Sequence, residues 1–124
     1  MMSCGAGGAL NVTLKALLNP GDEVIVSPYT MTASVTGALV YGAVPVFADI
    51  DPHTWTISPR SIEERITPRT RAVIPVDIYG LAPDMDVIMD IATRHNLFVL
   101  EDAAECFLGY YKGRVVGSIA HASS

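Results

Sequence analysis

Two stretches of the sequence put ligand-holding residue types where an open α/β sheet binds its ligands. One is Ser3-Cys4-Gly5-Ala6-Gly7-Gly8-Ala9, a glycine-rich run that opens a helical pattern. Glycines let backbone approach an anion closely. The first-turn N–H groups of a helix have no intrahelical acceptor and favour a phosphate. The other is Leu97-Phe98-Val99-Leu100 followed by Glu101-Asp102-Ala103-Ala104-Glu105, an apolar strand that runs straight into acids. A carboxylate at the buried end of a strand is costly unless it meets a cation or strong donors. Two readings of that acid stand open: a partner for a protonated ring nitrogen, or a helix-capping or salt-bridged carboxylate. The glycine run also has two, a phosphate cradle or a chain end whose glycines have no consequence.

Several chemistries are excluded. No Gly-Lys-Ser/Thr follows the glycines, so they form no P-loop. A dinucleotide fingerprint fails as well. After Gly5 and Gly7 the third glycine position is Leu10, no strand precedes, and Asp22-Glu23 stand before a strand rather than after one. Cys4 and Cys106 have no CxxC spacing and no His pair nearby, and the acids offer no convergent ligand set, so no metal site is expected. A phosphate cradle at one strand–helix junction and an acid at the end of another strand suit a phosphorylated aromatic cofactor. Pyridoxal 5'-phosphate (PLP) fits, with its phosphate at a helix N-terminus and its pyridinium nitrogen on an Asp.

The elements that position these residues follow from the apolar pattern. Val24-Ile25-Val26, Val44 to Phe47, Ala72-Val73-Ile74 and Leu97 to Leu100 are continuous apolar runs, the mark of strands buried on both faces. Helical patterns separate them. Ala9 to Leu18 carries Leu10, Leu14, Leu17 and Leu18, and Met31 to Val40 is an apolar helix. Ser58 caps a helix with Pro59 at its first position, and Asp84 caps Met85 to His95, which stops at Asn96. A small hairpin with a Lys112-Gly113 turn is expected to join Leu108-Gly109-Tyr110-Tyr111 to Arg114-Val115-Val116. The expected fold is α/β, a mainly parallel sheet with helices on both faces.

Composition narrows the partners. Lys and Arg number 8 against 13 Asp and Glu, a net charge of −5. That excludes a nucleic-acid binder and a polybasic membrane-surface protein. Ser27 to Ala48 has no charge, but Pro45 and Gly42 break it, so no membrane span is expected. Met1-Met2-Ser3-Cys4 has neither the basic nor the apolar region of a signal peptide, and two unpaired cysteines suit a reducing, cytoplasmic setting. Hydrophobic residues make up 50% and charged residues 17%. This excess implies apolar surface covered by a partner or by further chain.

The residues also carry a family likeness. It lies in Asn19-Pro20-Gly21-Asp22-Glu23, Ser27-Pro28-Tyr29-Thr30-Met31-Thr32-Ala33, Gly42 to Asp51 and Ile66 to Val76. It continues in Tyr79-Gly80 with Asp84-Met85-Asp86, Glu101 to Glu105, Tyr111-Lys112-Gly113 and Val116-Gly117-Ser118. In these, nearly along its whole length, the chain resembles the DegT/DnrJ/EryC1/StrS sugar aminotransferases, fold type I PLP enzymes. The resemblance implies that residues 1–124 are part of the large, cofactor-binding domain of an aspartate aminotransferase-like fold. The N-terminal helix, the lysine segment and the small C-terminal domain would lie outside it. It implies an amino group moved, usually from glutamate, to a nucleotide-linked keto sugar, in a homodimer. By matching position Asp102 is the pyridinium partner, Gly7 and Gly8 lie at the phosphate, Met31 at the ring face and Glu105 near the ring hydroxyl. Three departures stand out. Gly7 has no hydroxyl, Met31 is not aromatic, and His121 stands where Asp is common. The family's Schiff-base lysine would lie beyond Ser124, and a dehydratase of the same family has His in its place. A non-catalytic binding or dimerisation module is the other alternative. With only Lys15 and Lys112 present, the 124 residues alone are expected not to catalyse transamination.

Overall fold

The computed structural model describes residues 5–124, so Ser3 and Cys4 lie outside the described residues. In chain order the elements are α1 (Gly5–Leu17), β1 (Glu23–Val26), α2 (Ala33–Val40), β2 (Val44–Phe47), α3 (Pro59–Arg65) and β3 (Thr70–Ile74). They continue with α4 (Met85–His95), β4 (Phe98–Glu101), the hairpin strands β5 (Tyr110–Tyr111) and β6 (Arg114–Val115), and β7 (Ala122–Ser123). Five strands form one parallel sheet in the order β2-β1-β3-β4-β7. α1 begins earlier than its leucine pattern alone indicates, and the glycines form its first turn.

Each face of the sheet has its own core. Leu10, Leu14 and Ala38 of α1 and α2 pack with Val24, Val26, Ala72, Ile74 and Leu100. Ile62, Ile88 and Ile91 of α3 and α4 pack with Ile25, Val73 and Val99 on the other side. The chain leaves β1 toward the first face and β3 toward the second. That divergence opens a crevice at the carboxyl ends of the strands, where such sheets bind ligands.

Local signals account for most boundaries. The Ser58 hydroxyl accepts from the Ser61 N–H at 3.5 Å, with Pro59 at the first helical position. Asn96 ends α4 in the left-handed conformation, at φ 54°. Lys112 and Gly113 both have positive φ, as the tight turn of a hairpin requires. Two expectations are corrected. β2 is not buried on both faces: Val44 and Phe47 are each 48% exposed, because β2 is an edge strand with a single neighbour. Pro45 has no N–H to pair and is tolerated there. Asp84 stands at the start of α4 but makes no capping bond, since its Oδ1 instead accepts from the Tyr111 hydroxyl at 2.6 Å.

Two features of the packing bear on the crevice. α1 and α2 meet at Gly37, where an added Cβ would come within 2.6 Å of Asn11 Oδ1 and 2.9 Å of Leu14 Cδ1. Asp77 and Glu101, at the carboxyl ends of β3 and β4, are both fully buried. No carboxyl oxygen of either has a hydrogen-bond donor among the described residues. Two buried acids cannot both be charged at low cost, so one keeps its proton. Burial first, and then the charges of Glu101 and Asp102, push Asp77 up to about 7. Cys106 is free and buried nearby, and burial pushes its thiol up as well.

Two outcomes are expected. Gly→Ala inside a helix ordinarily stabilises by about 1 kcal/mol. At Gly37 it should destabilise instead, because Leu14 is fully buried and overpacking costs about 1–3 kcal/mol. A lower urea midpoint for Gly37→Ala checks this. Asp77 takes up its proton more readily when folded, so its contribution is present below the ordinary carboxyl range and is lost as pH rises through 7. Asp77→Asn should therefore lose less stability than the native chain between pH 4 and pH 8. The difference, on the order of a few kcal/mol, is read from urea melts at the two pH values.

Candidate functional site

Asp102 is the first residue past β4, and its backbone is fixed by the sheet. Its N–H donates to the Pro75 carbonyl at 2.9 Å, and its own carbonyl accepts from the Asp77 N–H at 3.0 Å. The β3–β4 pairing thus runs on past the strands, through a parallel bridge between Val76 and Asp102. Successive side chains of a strand point to opposite faces. Leu100 packs on the α1–α2 side, so Glu101 turns away from it and Asp102 turns back toward it.

There the Asp102 carboxylate, only 5% exposed, meets donors from two directions. The Ser34 hydroxyl donates to Oδ2 at 2.7 Å. The Ser124 hydroxyl at 3.2 Å and the Ala104 N–H at 3.4 Å donate to Oδ1. Ser34 is itself 2.9 Å from the Thr30 hydroxyl. Among the described residues no ion pair involves Asp102. The salt-bridged reading of the carboxylate is therefore not seen among the described residues, and the Ala104 N–H bond to Oδ1 is a local one two positions on.

The carboxylate opens into a cavity of about 180 Å³. Gly7 of the first turn of α1, Met31, Asp102 and Glu105 all line it, with Leu10 and Val76 as apolar walls. Four of the five residues singled out in the sequence are thus brought together. Gly8 follows Gly7 in the first turn of α1 and does not line the cavity. Glu105 is oriented by the Tyr79 N–H, which donates to its Oε2 at 3.0 Å. A second cavity of about 300 Å³ shares Thr30, Met31 and Glu105 with the first and adds Tyr29 and Tyr79. The Tyr29 ring lies 5.5 Å from that of Trp55 and 6.2 Å from that of Tyr79. A hydrogen bond to the Tyr79 hydroxyl, together with desolvation, pushes the Tyr29 hydroxyl up.

Neither lysine lines either cavity. Lys15 lies exposed in the last turn of α1. Lys112 is tied to Asp86 at 2.6 Å, which pushes its ammonium up. His121 serves the sheet. Its Nδ1 accepts the Val99 N–H at 3.0 Å and its ring stacks on Phe98, extending the β4–β7 contact. No metal-binding group of His, Cys, Asp or Glu occurs among the described residues. Among the same residues, no helix is long and apolar enough to cross a membrane.

Sequence reasoning passed over Thr30, Ser34 and Ser124. No local signal marked them: Thr30 lies before α2, and a serine in a helix is ordinary until its partner is known.

The residues fit PLP. A buried carboxylate with hydroxyl donors and no basic side chain suits a protonated ring nitrogen, and the first-turn N–H groups of α1 suit a phosphate. Comparison with known proteins agrees with this architecture. The family model of the DegT/DnrJ/EryC1/StrS aminotransferase family matches residues 2–124. Spore coat polysaccharide biosynthesis protein SpsC of Bacillus subtilis is 49% identical over 123 residues, covering 98% of this chain and 31% of that protein. GDP-perosamine synthase of Caulobacter vibrioides is 45% identical, covering 95% of this chain and 32% of the enzyme. The solved aminotransferase from Psychrobacter cryohalolentis superposes with a TM-score of 0.93 at 45% identity, over 96% of this chain and 30% of its own. The ntda protein of Bacillus subtilis, solved with its cofactor PMP bound, superposes at 0.83 with 39% identity, over 95% of this chain and 26% of its own. The chain spans about a third of the length of the curated relatives it matches. From the parallel sheet, the placement of Asp102 and these matches, the chain belongs to the DegT/DnrJ/EryC1/StrS aminotransferase family.

Proposed function

We propose that this chain is the central part of the cofactor-binding domain of a PLP-dependent nucleotide-sugar aminotransferase. It would move an amino group, usually from glutamate, to a keto sugar carried on a nucleotide. One observation carries the reading: Gly7, Met31, Asp102 and Glu105, far apart in sequence, line one cavity at the carboxyl edge of the sheet. PLP, when bound, supplies an electron sink for the carbanion left when a C–H bond beside the amino group loses its proton. Asp102 would accept a hydrogen bond from the ring nitrogen and favour its protonated form. The first turn of α1 would hold the phosphate through backbone N–H groups, since Gly7 has no hydroxyl. Met31, 70% exposed, would offer the ring a softer platform than an aromatic side chain. Glu105, held by the Tyr79 N–H, would serve the ring hydroxyl.

The amine that tethers the cofactor and moves the substrate proton comes from chain outside this segment, because Lys15 and Lys112 stand away from the cavity. The apolar surface supports a homodimer as the working form. Phe107, 90% exposed, stands beside the exposed Leu108. The working place is the cytoplasm, in keeping with the free Cys106 thiol and a nucleotide-linked substrate.

Borohydride reduction of the full-length protein with PLP, followed by peptide mass spectrometry, tests the reading. The label is expected on one lysine outside residues 1–124. Labelling of Lys15 or Lys112 would contradict the site, and no label at all would favour the dehydratase. Asp102→Asn in the same protein should lower turnover by about 10²-fold or more, as loss of a group acting on charge in the transition state does. Near-normal glutamate-dependent amination would contradict its role.

A further inference from the structure

We infer that Thr30 and Ser34 are positioning residues for the Asp102 carboxylate, a two-hydroxyl clamp on which cofactor binding depends. The inference rests on the functional reading above and concerns what holds the site's anion in place. Ser34 is only 1% exposed, and its hydroxyl has a single hydrogen. That hydrogen goes to Asp102 Oδ2, at 2.7 Å, across 68 positions of sequence. The 2.9 Å contact with Thr30 must then run the other way, with Thr30 donating to Ser34. The order is fixed: Thr30 donates to Ser34, and Ser34 donates to Asp102. Both hydroxyl dipoles point their positive ends at the carboxylate and reinforce each other.

The surroundings make these donors matter. Among the described residues, the titratable groups about Asp102 are Asp77 and Glu101 from the strand ends, and Glu105 in the same cavity, with Tyr29 and Tyr79 beyond it. All are acidic or neutral. With no ion pair to Asp102 among the described residues, its charge is met by hydroxyls and one backbone N–H alone. A serine inside a helix ordinarily turns its hydroxyl to a backbone carbonyl one turn back. Ser34 faces across the crevice instead. Its placement in α2 therefore sets which carboxylate oxygen is occupied and which lone pairs remain for a ring nitrogen.

The test is PLP affinity in the full-length protein, read by absorbance titration. Ser34→Ala should weaken PLP binding by about 10-fold, the scale of one hydrogen bond to a charged group. Thr30→Val, on a partly exposed residue, should weaken it in the same direction by a few-fold, and it serves if Ser34→Ala does not fold. Ser34→Thr keeps the hydroxyl and should restore most of the affinity. In an Asp102→Asn background, Ser34→Ala should have no further effect, because the clamp acts only through that carboxylate. Native affinity in both Ser34→Ala and Thr30→Val would overturn the clamp. A full loss persisting in the Asp102→Asn background would overturn it too, since it would mark a merely structural serine. Failure of the unaltered protein to bind PLP would instead overturn the functional reading, and the clamp with it.

Discussion

Three carboxyl groups meet at one edge of this sheet without a basic partner. Asp77, Glu101 and Asp102 are all buried, and no ion pair among the described residues reaches any of them. Such a cluster is costly in a low-dielectric interior. The fold meets that cost in two ways, divided by the alternation of side chains along β4. On one face Asp77, beside Glu101, holds the charge down by retaining its proton. On the other face Asp102 is surrounded by donors and opens into a cavity. Among the described residues this negative site has only neutral donors and no cation.

The helices above that face are set by the same need. The N-terminal ends of α1 and α2 bring Gly7 and Ser34 to the cavity from two sides, so their spacing fixes its width. That spacing depends on Gly37, which lets α2 lie against Asn11 and Leu14 of α1. A change in the helix contact would move Gly7 relative to Asp102 across the cavity. Packing and binding are thus joined through a position that never touches the cavity. Elsewhere charge is handled more cheaply: buried Glu23 is held below the usual carboxylate range by the Thr67 hydroxyl and then by the Arg69 guanidinium, far from the crevice.

Much of this was legible in the sequence, and the reasons for success and failure are local against global. Val24 to Val26, Ala72 to Ile74 and Leu97 to Leu100 read as buried strands because central strands need apolar residues on both faces. Asn96 and Lys112-Gly113 read correctly because turn geometry is decided by a few neighbouring residues. β2 looks like its central neighbours in composition, but its edge position follows from strand order, which no local pattern carries. Asp84 has a capping residue's identity, yet Tyr111, brought in by the distant hairpin, takes its oxygen. Asp102 could be singled out because an acid at the end of an apolar strand is anomalous. Ser34 could not, because a serine in a helix is ordinary until its partner, 68 residues away, is known.

The central claim is that the uncompensated charge of Asp102 is matched to a cationic ring nitrogen. The most direct measurement is ¹⁵N NMR of ring-labelled PLP bound to the full-length protein. A ring nitrogen that stays protonated at pH 8, and loses that proton when Asp102 is replaced by Asn, is the result predicted by the geometry at the end of β4. A neutral ring nitrogen in the native protein, or a proton that survives the loss of Asp102, would contradict it.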